Sequence, residues 1–229
     1  MSKRTWIIFV VVVIALLGGL VAWSRIANPG VDVSNVDLSK VQTANEQNGN
    51  IADHTFGKAT SAVTLVEYGD FQCPVCGAAH PQIQAISDEY KDKIAFIFRN
   101  LPLKTVHPNA NAAATAAEAA GLQGKYWEMH NLLFDEQDRW STLGTDERTD
   151  VFKQYASDIG IDADKFVTAL SSSAVKQKLA YDLALFKKTG YQMETPIFVV
   201  NGERVSADIS KDAIQGNGDL LRELLDSKL

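Results

Sequence analysis

Cys73-Pro74-Val75-Cys76 holds the only two cysteines of this 229-residue chain. Two thiols at this spacing, opening a helix, lie one turn apart and can close a disulfide or trade one with another protein. Such exchange needs a thiolate, as nucleophile or as leaving group. A cysteine at a helix N-terminus gains thiolate character from the helix dipole and the free backbone N–H groups. Cys73 has that position, because Pro74 suits the first helical residue, where its missing N–H costs nothing. Cys76 faces the same way and is expected to be the more buried, placed to resolve a mixed disulfide. Zinc is the alternative, with His80 as a third ligand on the same helical face. Zinc sites want a second Cys pair or two His at ligand spacing, whereas His54, His107 and His130 are scattered. The expectation is therefore redox chemistry, with no metal and no cofactor.

The elements around the pair are legible. Val63 to Tyr68 reads as a strand, and Gly69-Asp70-Phe71-Gln72 turns the chain into the cysteines. Ile83, Ile86 and Tyr90 keep a helical period, with Pro81 inside the helix as an expected kink. Ile94 to Phe98 is a second strand. A helical stretch follows: an alanine-rich helix capped by Asn109, then Tyr126 to Phe134, a helix from Thr145, one capped by Asp162 and one capped by Ser173. Tyr126, Trp127, Phe134 and Trp140 are expected in its core, and His80 in a groove or on the surface. Pro196 to Val200 returns to strand, Asn201-Gly202 is a strong hairpin signal, and a closing helix carries Leu220, Leu221, Leu224 and Leu225. Strand-helix-strand, helical block, hairpin and helix make an α/β, thioredoxin-like fold with an inserted all-α helical domain.

Lys3 and Arg4 precede an uncharged, mostly aliphatic run from Thr5 to Ser24, about 20 residues and so long enough to span a bilayer. The basic residues ahead of it keep to the cytoplasm and put the rest outside. A cleaved signal peptide competes with this reading, but Trp23 and Arg25 stand where small residues are wanted. No cysteine follows the run to carry a lipid. Residues 1–25 are thus expected as a retained anchor. Residues 26–58, rich in Asn, Asp, Ser, Gln and Gly, read as a flexible tether. The folded parts are expected at 59–106 and 190–229, with the helical insert at 107–189. A net charge of −6 without a basic patch argues against nucleic acid as a partner.

Phe71-Gln72-Cys73-Pro74-Val75-Cys76, Glu67 six residues before Cys73, Pro81 five after Cys76, and Thr195-Pro196 before the Asn201-Gly202 hairpin together resemble the DsbA family of extracytoplasmic thiol–disulfide oxidoreductases. The likeness covers roughly Thr60 to the C-terminus and includes membrane-anchored members with a helical insert. It implies that the Thr195–Pro196 bond is cis and lies against the cysteines. Thr195 would then pair with an extended substrate segment beside Pro74 and Val75. By strand alternation alone, Glu67 is as readily a solvent-facing residue; the resemblance matches it to a buried carboxylate that serves Cys76. Members that are strong oxidants commonly carry Pro-His between the cysteines. Val75 offers the Cys73 thiolate no charge or hydrogen bond, so a less oxidising disulfide is expected. The resemblance further implies reduced secreted or surface proteins as substrates and a membrane partner that passes electrons to quinone. A monomer is expected. A reductase or isomerase of the same fold, and a peptide-binding chaperone without turnover, are the competing functions.

Overall fold

The computed structural model describes residues 3–27 and 30–229. The chain divides into two units, Met1–Asp32 and Val33–Leu229. The first carries helix α1 (Lys3–Ala27), whose stretch Lys3–Leu20 has a mean hydropathy of 2.0 and is long and apolar enough to cross a membrane.

The second unit is built on a five-stranded sheet. Its strands are β1 (Thr55–Gly57), β2 (Thr64–Gly69), β3 (Ala95–Asn100), β4 (Ile197–Val200) and β5 (Glu203–Arg204), in the spatial order β1-β3-β2-β4-β5. β2 and β3 are parallel and the other pairs antiparallel. Helix α2 (Pro74–Tyr90) makes the crossover from β2 to β3 that parallel pairing requires. The central strands are buried along their whole length, and their period of two sorts side chains between two faces. Leu65, Phe96, Phe198 and Val200 pack with Ile83 and Ile86 of α2. Val66, Tyr68, Ile97, Ile197 and Val199 pack on the other face with Phe186. By this alternation Glu67 falls on the α2 face, the side of Leu65 and not of solvent.

Helices α3 (Ala110–Gly121), α4 (Tyr126–Asp135), α5 (Gln137–Trp140), α6 (Thr145–Asp158), α7 (Ala163–Leu170) and α8 (Ser173–Thr189) form the helical block. Seven buried alanines of α3 leave room for close helix packing, and Tyr126, Phe134 and Trp140 lie in the same core. Trp127 is only partly buried and bridges this core to that of the sheet. Asp162 caps α7 as expected. The cap of α8 is Ser172, one residue earlier than the pattern suggested. Asn109 does not cap α3: its amide donates instead to the Ser141 and Leu143 carbonyls. The closing helix is α10 (Asp219–Lys228), and a further helix, α9 (Ala207–Gln215), which the sequence pattern did not announce, precedes it.

The expected tether needs correction. Residues 28 and 29 lie outside the described residues, but from Val33 onward the segment packs on the domain. Val33, Asn48, Ile51 and Asp53 are buried, and β1 pairs with β3. Polar composition here marks local hydrogen bonding, not solvation. The Asn45 side chain accepts from the Gln47 and Asn48 N–H groups, and Asn48 reciprocates. Lys188 of α8 donates to the carbonyls of Val33, Ser34 and Val36. Asp53 is fully buried between two cations, 2.8 Å from Arg99 Nη2 and 3.2 Å from Lys178 Nζ. Burial opposes its charge, yet Arg99 first and Lys178 next hold its carboxyl down at about 2. Asp53→Ala leaves both cations buried without this partner, so it should cost about 3–5 kcal/mol. Urea unfolding checks this; a loss below about 1 kcal/mol would show the segment to be dispensable.

Candidate active site

The turn between β2 and α2 is held from several sides. The Asp70 carbonyl accepts from the Cys73 N–H (3.0 Å), and the Asp70 carboxylate accepts from the N–H groups of Gln72 and Leu103 (both 2.8 Å). His107 Nδ1 lies 2.8 Å from the same carboxylate. From α5, the Gln137 amide donates to the carbonyls of Phe71 (2.7 Å) and Cys73 (3.1 Å). It lies so close over Gly77 that a Cβ there would come within 2.8 Å of its oxygen. Neither Gln137 nor His107 was foreseen, and no local spacing announces residues that reach the turn from so far along the chain.

Cys73 is the N-cap of α2 and Pro74 its first residue. Both cysteines are free thiols. Hydrogen bonding with the Cys76 thiol, and with the backbone N–H groups of Cys76 and Val75, holds the Cys73 thiol down at about 5 against its partial burial. Cys76 is wholly buried, and that burial, with the bond to Cys73 and the nearby Glu67 carboxyl, pushes its thiol well up. The two sulfurs are thus strongly unlike. The Thr195–Pro196 bond is cis, and the Cys73 thiol stands 3.6 Å from the Thr195 carbonyl oxygen. The Thr195 hydroxyl is buried beside the sulfur and also favours the Cys73 thiolate. Pro74 and Val75 are exposed beside it, Val75 to 44%, and so is Met193. All seven residues singled out from the sequence belong to this one region, Cys73 with Cys76, Pro74, Val75, Thr195 and Pro196 near it and Glu67 beneath.

Glu67 is buried on the α2 face of β2, opposite Phe98 on β3 and Phe198 on β4. Both neighbouring strands thus offer it a ring in place of water. Burial, reinforced by charge on Cys73, raises its carboxyl to about 8. His80 is not on the surface but buried, stacked at 4.9 Å on Phe134, and His130 is buried against Phe71, Phe98 and His80. Burial lowers both imidazoles, His130 to about 3. Among the described residues no cluster of His, Cys, Asp and Glu could hold a metal ion.

A family model described as thioredoxin matches residues 49–217. The chain belongs to the thioredoxin family, and its fold, with helices inserted between β3 and β4, is the DsbA-like form of it. A thioredoxin-like oxidoreductase from Silicibacter pomeroyi DSS-3 is similar in structure, at 26% identity and a TM-score of 0.56, over 75% of this chain and 92% of that one. The thiol-disulfide exchange protein alpha-DsbA2 from Wolbachia pipientis matches at 21% identity and a TM-score of 0.63, over 77% and 87%. In sequence, a Na(+)/H(+) antiporter NhaA 1 from Salinispora arenicola is 38% identical over 165 residues, 71% of this chain and 24% of that protein. The chain spans about a quarter of the length of the curated relatives it matches.

Two outcomes follow from these charges. Iodoacetamide should alkylate Cys73 with a pH midpoint near 5 and spare Cys76 in the native protein; a single midpoint near 9 would mean that the helix start does not activate Cys73. For Glu67, folding is favoured while the carboxyl is protonated. That stability is complete below about pH 4.5 and is lost as pH rises toward 8, because only the unfolded chain readily ionises there. Glu67→Gln should therefore stabilise the reduced protein by up to about 3 kcal/mol at pH 7 and by nearly nothing at pH 4.5. Thermal unfolding at the two pH values measures the difference; a gain equal at both would show that the carboxyl is not protonated in the fold.

Proposed function

We propose that this protein is a thiol–disulfide oxidoreductase that donates the Cys73–Cys76 disulfide to reduced secreted or surface proteins. The observation that carries it is the split between the two thiols, with Cys73 at about 5 and Cys76 well above an ordinary thiol. A low-pKa Cys73 stabilises the reduced form, and stabilising the reduced form makes the disulfide an oxidant.

In this reading a substrate thiolate attacks Cys73 of the disulfide, and the S–S electron pair leaves on Cys76. Buried Cys76 takes a proton from the Glu67 carboxyl. The substrate's second thiolate then attacks its own sulfur in the mixed disulfide, and Cys73 leaves as a thiolate. Two electrons have passed from substrate to enzyme, and the substrate carries the disulfide. Thr195, Pro196, Pro74 and Val75 form the floor on which an extended substrate segment lies. Helix α1, with Lys3 and Arg4 in its first turn, anchors the protein with the oxidoreductase unit outside the cytoplasm. Reoxidation falls to a membrane partner that hands the two electrons to quinone, and the protein acts as a monomer. No ion transport is assigned to the chain, because the antiporters it resembles match it over only about a quarter of their length.

The test is the reduction potential of the full chain in detergent, equilibrated against glutathione buffers. The Cys73 value lies between the ~7 of thioredoxin and the ~3.5 of a strong oxidant, so the potential should lie between about −270 and about −120 mV. A value at the thioredoxin end would make the protein a reductase or isomerase kept reduced by its partner.

A further inference from the structure

Glu67 is not sealed in. A cavity of about 120 Å³ opens beside it, lined within by His80, His130, Phe96 and Trp127 and ending at Gln84, Asn131 and Asp88. Gln84 and Asp88 lie well along α2 from its start, Asp88 exposed. At 1.5 Å per residue that mouth is about 16–22 Å along the helix from Cys73, away from the Thr195 side where substrate would lie.

The inner wall is apolar except for groups left without partners. The Nε2 atoms of His80 and His130 and the Nε1 atom of Trp127 are all buried and have no hydrogen-bond partner. The Asp135 carboxylate is 3.5 Å from His80 Nε2, too far for a hydrogen bond of ordinary strength. Three orphaned polar atoms and a lone carboxyl around one cavity are costly unless water satisfies them, and a cavity of this size with several polar partners holds water. His130 Nδ1 lies 3.0 Å from Asn131 Oδ1. A carbonyl oxygen only accepts, so Nδ1 carries the proton and Nε2 is left as an acceptor.

We propose that His130 and His80 hold a chain of water in this cavity that exchanges protons between Glu67 and solvent from the side of the domain away from substrate. The inference rests on the oxidoreductase reading above. When Cys76 leaves as a thiolate it takes the Glu67 proton, and the carboxylate formed must be reprotonated. With substrate bound over Cys73, the cavity offers a route that stays open. The two imidazoles remain neutral and act as positioning residues for the water; burial disfavours their charged forms. The titratable groups facing this path are Cys73 and Cys76 at the start of α2, His80 and Asp88 further along it, and His130 and Asp135 on α4.

The experiment follows reduction of the Cys73–Cys76 disulfide by dithiothreitol in the full chain, in H2O and in D2O. His130→Phe keeps an aromatic ring of similar size and removes Nε2. It should slow the reaction by about tenfold or more and change the solvent isotope effect, while alkylation of Cys73 at pH 7 stays as in the wild type. His130→Gln, which restores an acceptor, should recover part of the rate. Gln84→Trp plugs the mouth from a half-exposed position, keeps the test alive should His130→Phe not fold, and should slow the reaction likewise. The effects of His130→Phe and Glu67→Gln should not multiply, because both act on one path. Unchanged rates and isotope effects in His130→Phe and Gln84→Trp, or losses that multiply with Glu67→Gln, overturn the proposal. A wild-type chain that exchanges no disulfide at all would instead overturn the oxidoreductase reading.

Discussion

Four buried charges hold this domain together: Asp53, Arg99, Lys178 and Asp182. Each comes from a different part of the topology except the last two, which stand one turn apart on α8. Removing such charges from water is expensive, and their mutual attraction offsets the cost only when the remaining hydrogen bonds are also made. Here they are. Arg99 donates to Tyr68 and to the Lys40 carbonyl, Asp53 accepts from the Gln42 N–H, and Asp182 accepts from the Asn100 backbone and side chain. Asn100 passes the network on to Glu118 of α3, and Glu118 to His54. The N-terminal segment, the sheet and the helical block are tied through one set of charges.

The other face of the same sheet uses the same physics to the opposite end. One residue before Tyr68, which meets Arg99, the chain puts Glu67 between two phenylalanines and gives it no cation. Two carboxyls of one fold, Asp53 and Glu67, are both buried, and they are displaced in opposite directions, Asp53 down and Glu67 up. The difference is the partner. Asp53 is ionised because two cations outweigh desolvation; Glu67 keeps its proton because nothing does. The first stabilises the fold and the second strains it, which marks the α2 face as the one given over to chemistry.

The sequence carried the chemistry more clearly than the packing. Cys73, Cys76 and the Thr195–Pro196 pair are signalled by local residues whose meaning does not depend on distant context, and the strand-helix-strand order follows from periodicity. Glu67 was ambiguous for a stated reason: alternation says which residues share a face, not which face is buried. Only the register with Phe98 and Phe198 decides it. The segment from Val33 to Lys58 was misread because its polar residues bond to one another and to α8, an arrangement composition cannot distinguish from solvation. His80 and His130 looked unconnected for the same reason, being fifty residues apart in sequence and in ring contact in the fold.

The asymmetry of the two thiols has a structural origin that ties these strands together. Cys73 gains its thiolate from groups at the very start of α2, and those groups exist only because Gln137, Asp70 and His107 hold the turn before the helix in one shape. Cys76, three residues on, is already inside the wall formed by Phe71, Phe98 and the helical block, where burial outweighs the backbone hydrogen bond at Asp70. Less than one helical turn thus separates a sulfur stabilised as an anion from one that is stable only when protonated. A disulfide joining such a pair breaks with a built-in polarity, since the attacked sulfur is the less buried one and the departing sulfur must find a proton. The protonated Glu67 beneath is the group able to give it, and the fold keeps it protonated by burying it between Phe98 and Phe198 with no cation beside it.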